Sequence, residues 1–248
     1  ISNHPCTAII ITSDKAYDNI EQIWGYKEND QIGGKDIYSG SKGAAELVIK
    51  SYYHSFFQSD QSNVRLAVGR AGNVIGGGDW AKDRIVADAI SAWNKQEKVE
   101  IRSPKATRPW QHVLEPLSGY LNLGMKLYEN KILNGECFNF GPTTGEDKTV
   151  QKLLTDLSNQ WDFGKNNETI LIKENKNFHE ATLLKLNCEK SLALLNWHSS
   201  LDYKDTIKFI CEWYAEYYKK NVDMIKITNN QILDYQNIAK LKFLKWTA

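Results

Sequence analysis

Apolar positions along the chain recur with two different periods, and the way these alternate predicts an α/β protein. The run Thr7-Ala8-Ile9-Ile10-Ile11 is short, continuous and β-branched, which predicts a strand buried on both faces of a parallel sheet. Val64 to Arg70 reads the same way and stops at a glycine-rich loop, Gly72 to Gly78. Between the two, Leu47, Val48, Tyr52 and Phe56 recur at helical spacing, and Ile85, Val86, Ala89, Ile90 and Trp93 mark the next helix. Glu97 to Arg102 predicts another strand. Glu115-Pro116 opens a helix with proline in its permitted first turn and Leu117, Tyr120, Leu121, Gly124 and Leu127 expected on the inner face. A strand around Cys137 to Phe140 follows.

The remainder predicts a smaller lobe. Val150, Leu153, Leu154, Leu157 and Trp161 mark a helix, Thr169 to Lys173 a strand, and Asn187 caps a short helix ending before Trp197. Ile207, Ile210, Cys211, Tyr214 and Tyr218 mark a last long helix, beyond which Asn221 to Ala248 is polar with Ile and Leu at irregular helical spacing and a basic end. Strands alternating with helices argue for a parallel sheet covered on both faces, with the small lobe closing over its C-terminal edge.

Composition narrows the function classes. The 248 residues suffice for one large or two small domains, and 31 basic against 30 acidic side chains leave no global field to attract nucleic acid or an anionic membrane. No apolar run approaches the length of about 20 residues that spans a bilayer, and the expected location is the cytoplasm. Cys6, Cys137, Cys188 and Cys211 are scattered beside apolar segments, so buried free thiols are expected, and no metal site is proposed.

Candidate chemistry gathers at the end of the first strand. Ser13, Asp14 and Lys15 should emerge at its C-terminal edge, where open α/β sheets bind ligands. Tyr38 and Lys42, four apart, share one face of the following helix. An ammonium one turn from a phenol stabilises the phenolate and moves it toward use as a general base, while a serine hydroxyl can bond the substrate oxygen that exchanges the proton. A tyrosine and a lysine at this spacing also occur in many helices without function.

Ser13, Tyr38 and Lys42 resemble the catalytic triad of the extended short-chain dehydrogenase/reductases. The segments Arg70-Ala71-Gly72-Asn73-Val74-Ile75-Gly76, Arg108-Pro109-Trp110-Gln111-His112-Val113 and Phe138-Asn139-Phe140-Gly141 are also similar to segments of that family. The longer strings, among them Thr12-Ser13-Asp14-Lys15, Gly76-Gly77-Gly78-Asp79-Trp80 and His179-Glu180-Ala181, are similar to its nucleotide-sugar dehydratases. The resemblance implies a bound NAD and an incomplete Rossmann-type parallel sheet with a smaller α/β substrate-binding lobe. Residues 1–75, with 108–142 packing back on them, would be the C-terminal part of the NAD-binding domain, 76–107 and 143–220 the lobe, and 221–248 an extension. The family's Gly-x-x-Gly-x-x-Gly loop is not in this sequence, so the resemblance implies the C-terminal part of a longer protein.

The resemblance also implies roles. Tyr38, Lys42 and Ser13 would exchange the proton of a sugar hydroxyl beside the nicotinamide, and Asp14, with a raised pKa, would be the acid for a departing hydroxyl. Lys15 would be the base at the neighbouring carbon, or would only pair with Asp14 or a phosphate. Asn73, Arg84, Arg108 and His179 match positions near the nucleotide's phosphates, and Trp80 and Trp110 are candidates to line the site. The implied partners are a nucleotide sugar and a second copy of the chain, the family pairing through the helix bearing Tyr38 and Lys42. An epimerase or reductase of the same fold, needing neither Asp14 nor Lys15, and a non-catalytic binding module stand as alternatives.

Overall fold

A computed structural model describes residues 4–143, 145, 147–161, 169–173, 183–219 and 221–247. In chain order the elements are β1 (Cys6–Ile11), α1 (Ile37–Tyr52), β2 (Val64–Ala71), β3 (Val74–Ile75), α2 (Ile85–Asn94), β4 (Val99–Ile101), β5 (Thr107–Arg108), β6 (Gln111–His112), α3 (Leu114–Glu129), β7 (Cys137–Phe140), β8 (Lys148–Thr149), α4 (Val150–Asn159), β9 (Ile170–Ile172), α5 (Glu189–Leu195), α6 (Tyr203–Tyr218) and α7 (Met224–Leu241). The main sheet is parallel with order β1-β2-β7, Ile9 standing opposite Ala67 and Val68 opposite Cys137. Short pairs extend the framework beyond its C-terminal edge: β3 with β6, β4 with β9, and antiparallel β5 with β8. This is the mixed α/β arrangement with a parallel sheet that the alternating pattern predicts.

Local chemistry sets the helix starts. Asp36 caps α1 by accepting from the Ser39 N–H at 3.0 Å and the Ser39 hydroxyl at 2.6 Å. Asp202 and Asp205 form a capping box at α6, and Asp223 accepts from two N–H groups at the start of α7. The short helix α5 ends at Asn196 in the left-handed region, φ 52°.

Two apolar cores carry the packing. One joins α2, α4 and α6 around Trp93, Leu153, Leu157, Ile210 and Tyr214. The other lies between the main sheet, α3 and Trp197, around Leu123, Leu127, Phe138 and Phe140. Among the described residues no helix is long and apolar enough to cross a membrane.

Three expectations are corrected: the burial of the first strand, the inward face of α3 and the burial of Cys6. The first strand is not fully buried: among the described residues β1 pairs with β2, and Ile11 is 56% exposed. Leu47, Val48 and Tyr52 of α1, and Phe56 in the turn that follows it, are all more than half exposed, whereas the buried residues of α1 are Ser39, Gly43 and Glu46. The helix turns its polar side inward because Glu46 has an ionic partner there and Gly43 lets the chain at Ile32-Gly33 approach closely. Helix α3 is rotated in the same sense: Leu117 and Leu121 face out, while Ser118, Gly119, Asn122 and Leu123 face in, with Asn122 donating to the Leu195 carbonyl and Ser118 bonding Tyr235. Finally, the polar tail is a helix of 18 residues, α7, held by the narrow buried stripe Gln231, Tyr235 and Ala239. The four cysteines are unpaired, as expected, but Cys6, at the start of β1, is exposed.

Candidate active site

The site is built where β1 runs out. Thr12 continues the ladder by donating its N–H to the Gly69 carbonyl at 2.9 Å, and the chain then tightens into a single 3-10 turn, Asp14–Ala16. Ser13 caps that turn. Its Oγ accepts from the Lys15 N–H at 3.2 Å and donates to Asp14 Oδ1 at 3.0 Å. Asp14 is 3% exposed, and its other oxygen has no hydrogen-bond partner. The carboxyl lies against Gly72, where a Cβ would come within 2.0 Å of Oδ2, so this position admits glycine alone. Burial raises the Asp14 pKa, opposed by the Ser13 hydrogen bond and by the charges of Lys15 and Arg108. A raised pKa is the condition under which a carboxyl can donate a proton near neutrality.

Helix α1 supplies the second half. Tyr38, in its first turn, is 55% exposed, and Lys42 Nζ lies 5.5 Å from the centroid of the Tyr38 ring, as the spacing of four predicts. Ser13, Asp14, Lys15 and Tyr38 line one cavity of about 670 Å³. Its far wall comes from the loop after β2 and from α2 and β4, including Asn73, Arg84, Asp88 and Arg102.

Three of the four residues expected near phosphates therefore share this cavity. Asn73 has a left-handed backbone, φ 45°, at the exit from β2. Arg108 is buried in β5 with Nη1 donating to its neighbour's carbonyl, Thr107, at 2.8 Å. Arg84 is exposed at the N-cap of α2. The fourth, His179, lies outside the described residues. Trp110 lines the cavity, its Nε1 donating to the Lys148 carbonyl at 3.0 Å. Trp80 is not among the lining residues; it packs on Tyr214, Tyr217 and Tyr218 of α6 instead. His112, beside Trp110 in sequence, is kept neutral, burial lowering its pKa to about 4.

A group that sequence reasoning missed lies directly beneath. Arg70 of β2 and Glu46 of α1 form a buried ion pair at 2.8 Å, and Tyr17 and Asn139 extend it by hydrogen bonds. The available signal was an arginine following the apolar run Leu66-Ala67-Val68 of the strand and a glutamate one turn beyond Lys42 on the same face.

No family model matches the chain. Its described fold is nonetheless that of known NAD-dependent sugar dehydratases and epimerases. It superposes with a TM-score of 0.70 on the dTDP-glucose 4,6-dehydratase of Bacillus anthracis solved with NAD, at 19% identity, covering 86% of this chain and 63% of that one. For the UDP-glucuronic acid 4-epimerase of Bacillus cereus, solved with UDP-glucuronic acid and NAD, the TM-score is 0.69 at 16% identity, covering 86% and 62%. The likeness establishes a mixed α/β fold of the Rossmann type, shared with these solved enzymes. In sequence the chain is similar to the CDP-glucose 4,6-dehydratase of Salmonella typhimurium (strain LT2), 44% identical over 230 residues that make up 92% of this chain. The match spans 63% of that curated relative's length.

Proposed function

We propose that this chain carries the catalytic residues of an NAD-dependent 4,6-dehydratase that converts CDP-glucose to CDP-4-keto-6-deoxyglucose. The observation that carries the reading is Asp14: a buried carboxyl with a raised pKa, bonded to Ser13, in a cavity shared with Tyr38, in a chain 44% identical to a CDP-glucose 4,6-dehydratase. The residues present fit the nicotinamide end of the cofactor, since Tyr38 offers an exposed phenol at the cavity wall with an ammonium beside its ring. NAD, when bound, accepts the hydride from C4 and returns it to C6.

The chain's own residues do the proton work. Tyr38, as phenolate supported by Lys42, takes the proton of the sugar's 4-hydroxyl while Ser13 bonds the same oxygen. The resulting 4-keto group acidifies C5–H. Lys15 removes that proton, Asp14 gives its own to the 6-hydroxyl, water leaves across C5 and C6, and Lys15 returns its proton to C5 as C6 is reduced. Arg108, Asn73 and Arg84 hold the pyrophosphate, for which guanidinium forks and amide donors are the matching groups. His179 is assigned to the same end of the substrate.

The reading extends to a cytoplasmic enzyme of nucleotide-sugar metabolism supplying deoxysugars for polysaccharides, and to pairing of two copies through α1. The exposed apolar residues Leu47, Val48, Tyr52 and Phe56 support that surface.

The test uses protein expressed from its complete reading frame, supplied with NAD and given CDP-glucose or dTDP-glucose, with the 4-keto product followed by its absorbance in alkali. Product from CDP-glucose alone is expected. Product from dTDP-glucose alone would reject the nucleotide, and product from neither, with NAD bound, would reject the dehydratase in favour of an epimerase or reductase of the same fold.

A further inference from the structure

Arg70 is 1% exposed and makes four hydrogen bonds. Its Nε and Nη2 grip the two oxygens of Glu46 at 2.8 and 3.0 Å, while Nη1 donates to the Tyr17 hydroxyl at 2.8 Å and to the Glu28 carbonyl at 3.1 Å. The guanidinium carbon also sits 4.8 Å from the centroid of the Tyr17 ring. Around this centre the Thr12 hydroxyl donates to Glu46 Oε1 at 2.5 Å, and the Tyr17 hydroxyl donates to Asn139 Oδ1 at 2.7 Å.

Three of these partners, Glu46, Thr12 and Tyr17, adjoin site residues. Glu46 lies one helical turn beyond Lys42 and two beyond Tyr38, on the same face of α1. Thr12 immediately precedes Ser13, and Tyr17 directly follows the turn holding Asp14 and Lys15. Arg70 is therefore the junction between the two halves of the site.

A buried ion pair is weak evidence of a stabilising role, because apolar side chains of similar volume often replace one at no cost in stability. What such a replacement lacks is direction. A guanidinium fork fixes the positions of both carboxylate oxygens, whereas an apolar contact tolerates sliding. A slip of α1 by one turn moves its side chains about 5.4 Å, against the about 3 Å separations that proton transfer needs.

We infer that Arg70 is a positioning residue: through Glu46 and Tyr17 together it fixes the register of Tyr38 and Lys42 against Ser13, Asp14 and Lys15. What is aligned rests on the function proposed above; the alignment itself does not.

The experiment compares the parent protein with Arg70→Met paired with Glu46→Leu, which leaves no uncompensated buried charge, and with Arg70→Lys, which keeps the charge but loses the fork. The double variant is expected to melt within about 5 °C of the parent while kcat falls about 100-fold with KM little changed, as for misplaced reacting groups. Arg70→Lys is expected to lose about 10-fold in kcat, because a point charge cannot hold both oxygens. Amide exchange should quicken in residues 13–17 and 37–42 together, with α4 and α6 unaffected. A folded double variant with parental kcat, or parental kcat in Arg70→Lys, would overturn the inference, as would exchange that quickens in only one of the two segments or in neither. Should the double variant fail to fold, Arg70→Lys decides. If the parent forms no 4-keto product, the proposed function fails, and the exchange pattern still judges Arg70 by itself.

Discussion

Asp14 and Glu115 are both buried carboxyls, 3% and 1% exposed, yet their surroundings have opposite character. One oxygen of Asp14 has no hydrogen-bond partner, and the other accepts from the Ser13 hydroxyl. Both oxygens of Glu115 are taken: the Ser200 N–H bonds each at 2.9 Å, the Leu201 N–H bonds Oε1 at 2.6 Å, and the Tyr235 hydroxyl bonds Oε2 at 3.0 Å. Tyr235 in turn bonds Ser118, which receives the Trp197 indole N–H, so this cluster fastens α7 and the loop after Trp197 to the start of α3. A fully satisfied buried network specifies structure, whereas a carboxyl left with an empty oxygen is costly unless it is neutral or awaits a ligand. Burial is common to both; the partner count separates chemistry from architecture.

The most forceful way to break this comparison is Asp14→Asn. It should lower kcat by roughly 10²- to 10⁴-fold, the usual range for loss of a general acid, without lowering the melting temperature. Product formation and thermal melting check both halves, and unimpaired turnover would remove Asp14 from the reaction.

Glu115→Ala should do the reverse. Two backbone N–H groups and a phenol would lose their acceptor, costing about 3 kcal/mol of stability, while kcat per folded molecule stays at the parental value. Urea unfolding and activity on the same samples measure this. A loss of activity at full stability would place Glu115 with the catalytic group after all.

A pH series sharpens the contrast. Burial pushes the Glu115 pKa up from 4.5 to about 7 in spite of its donors. Between those values the folded protein keeps a proton that the unfolded chain has released, so this group's contribution is full below pH 4.5 and is lost as pH rises toward 7. The slope is at most about 1.4 kcal/mol per pH unit, and the raised Asp14 pKa acts in the same direction. Glu115→Gln should flatten the curve; equal slopes in parent and variant would count against the assignment.

The smallest effect is expected at Cys6. As the exposed cysteine at the start of β1 it should be the first to react with a thiol reagent, and Cys6→Ser should change stability by less than about 0.5 kcal/mol. Faster labelling of Cys137, Cys188 or Cys211 would show that the interior opens more readily than the packing implies.

Much of this architecture was legible in the sequence. The strand at Cys137 to Phe140 falls where composition predicts it, and β2 and β4 lie inside their predicted spans or within a residue of them. The candidate residues Ser13, Asp14, Lys15, Tyr38, Asn73, Arg84 and Arg108 do meet at one cavity. The inward face of α3 was misread and that of α1 was not predicted, because periodicity reports a stripe of apolar residues but not what lies opposite it. On α1 the stripe is exposed and the buried contact is ionic; on α3 the inward turn is claimed by Ser118 and Asn122, whose polar groups have partners inside. The α7 helix showed only as an irregular helical spacing of Ile and Leu, since its buried residues, Gln231, Tyr235 and Ala239, are too few to make a regular apolar period.

By itself the sequence determined the order of strands and helices, the glycine at position 72, and the kinds of side chain at the end of β1 and the head of α1. These depend on local propensity, on helical spacing and on motif strings, all of which are properties of neighbouring residues. The tertiary structure alone decided that Arg70 would find Glu46 and Tyr17, that Asp14 would be left with an unpartnered oxygen while Glu115 would not, and which sides of α1 and α3 face inward. Each of those outcomes depends on groups distant in sequence competing for the same buried donors and acceptors, and that competition is resolved only when the chain has folded.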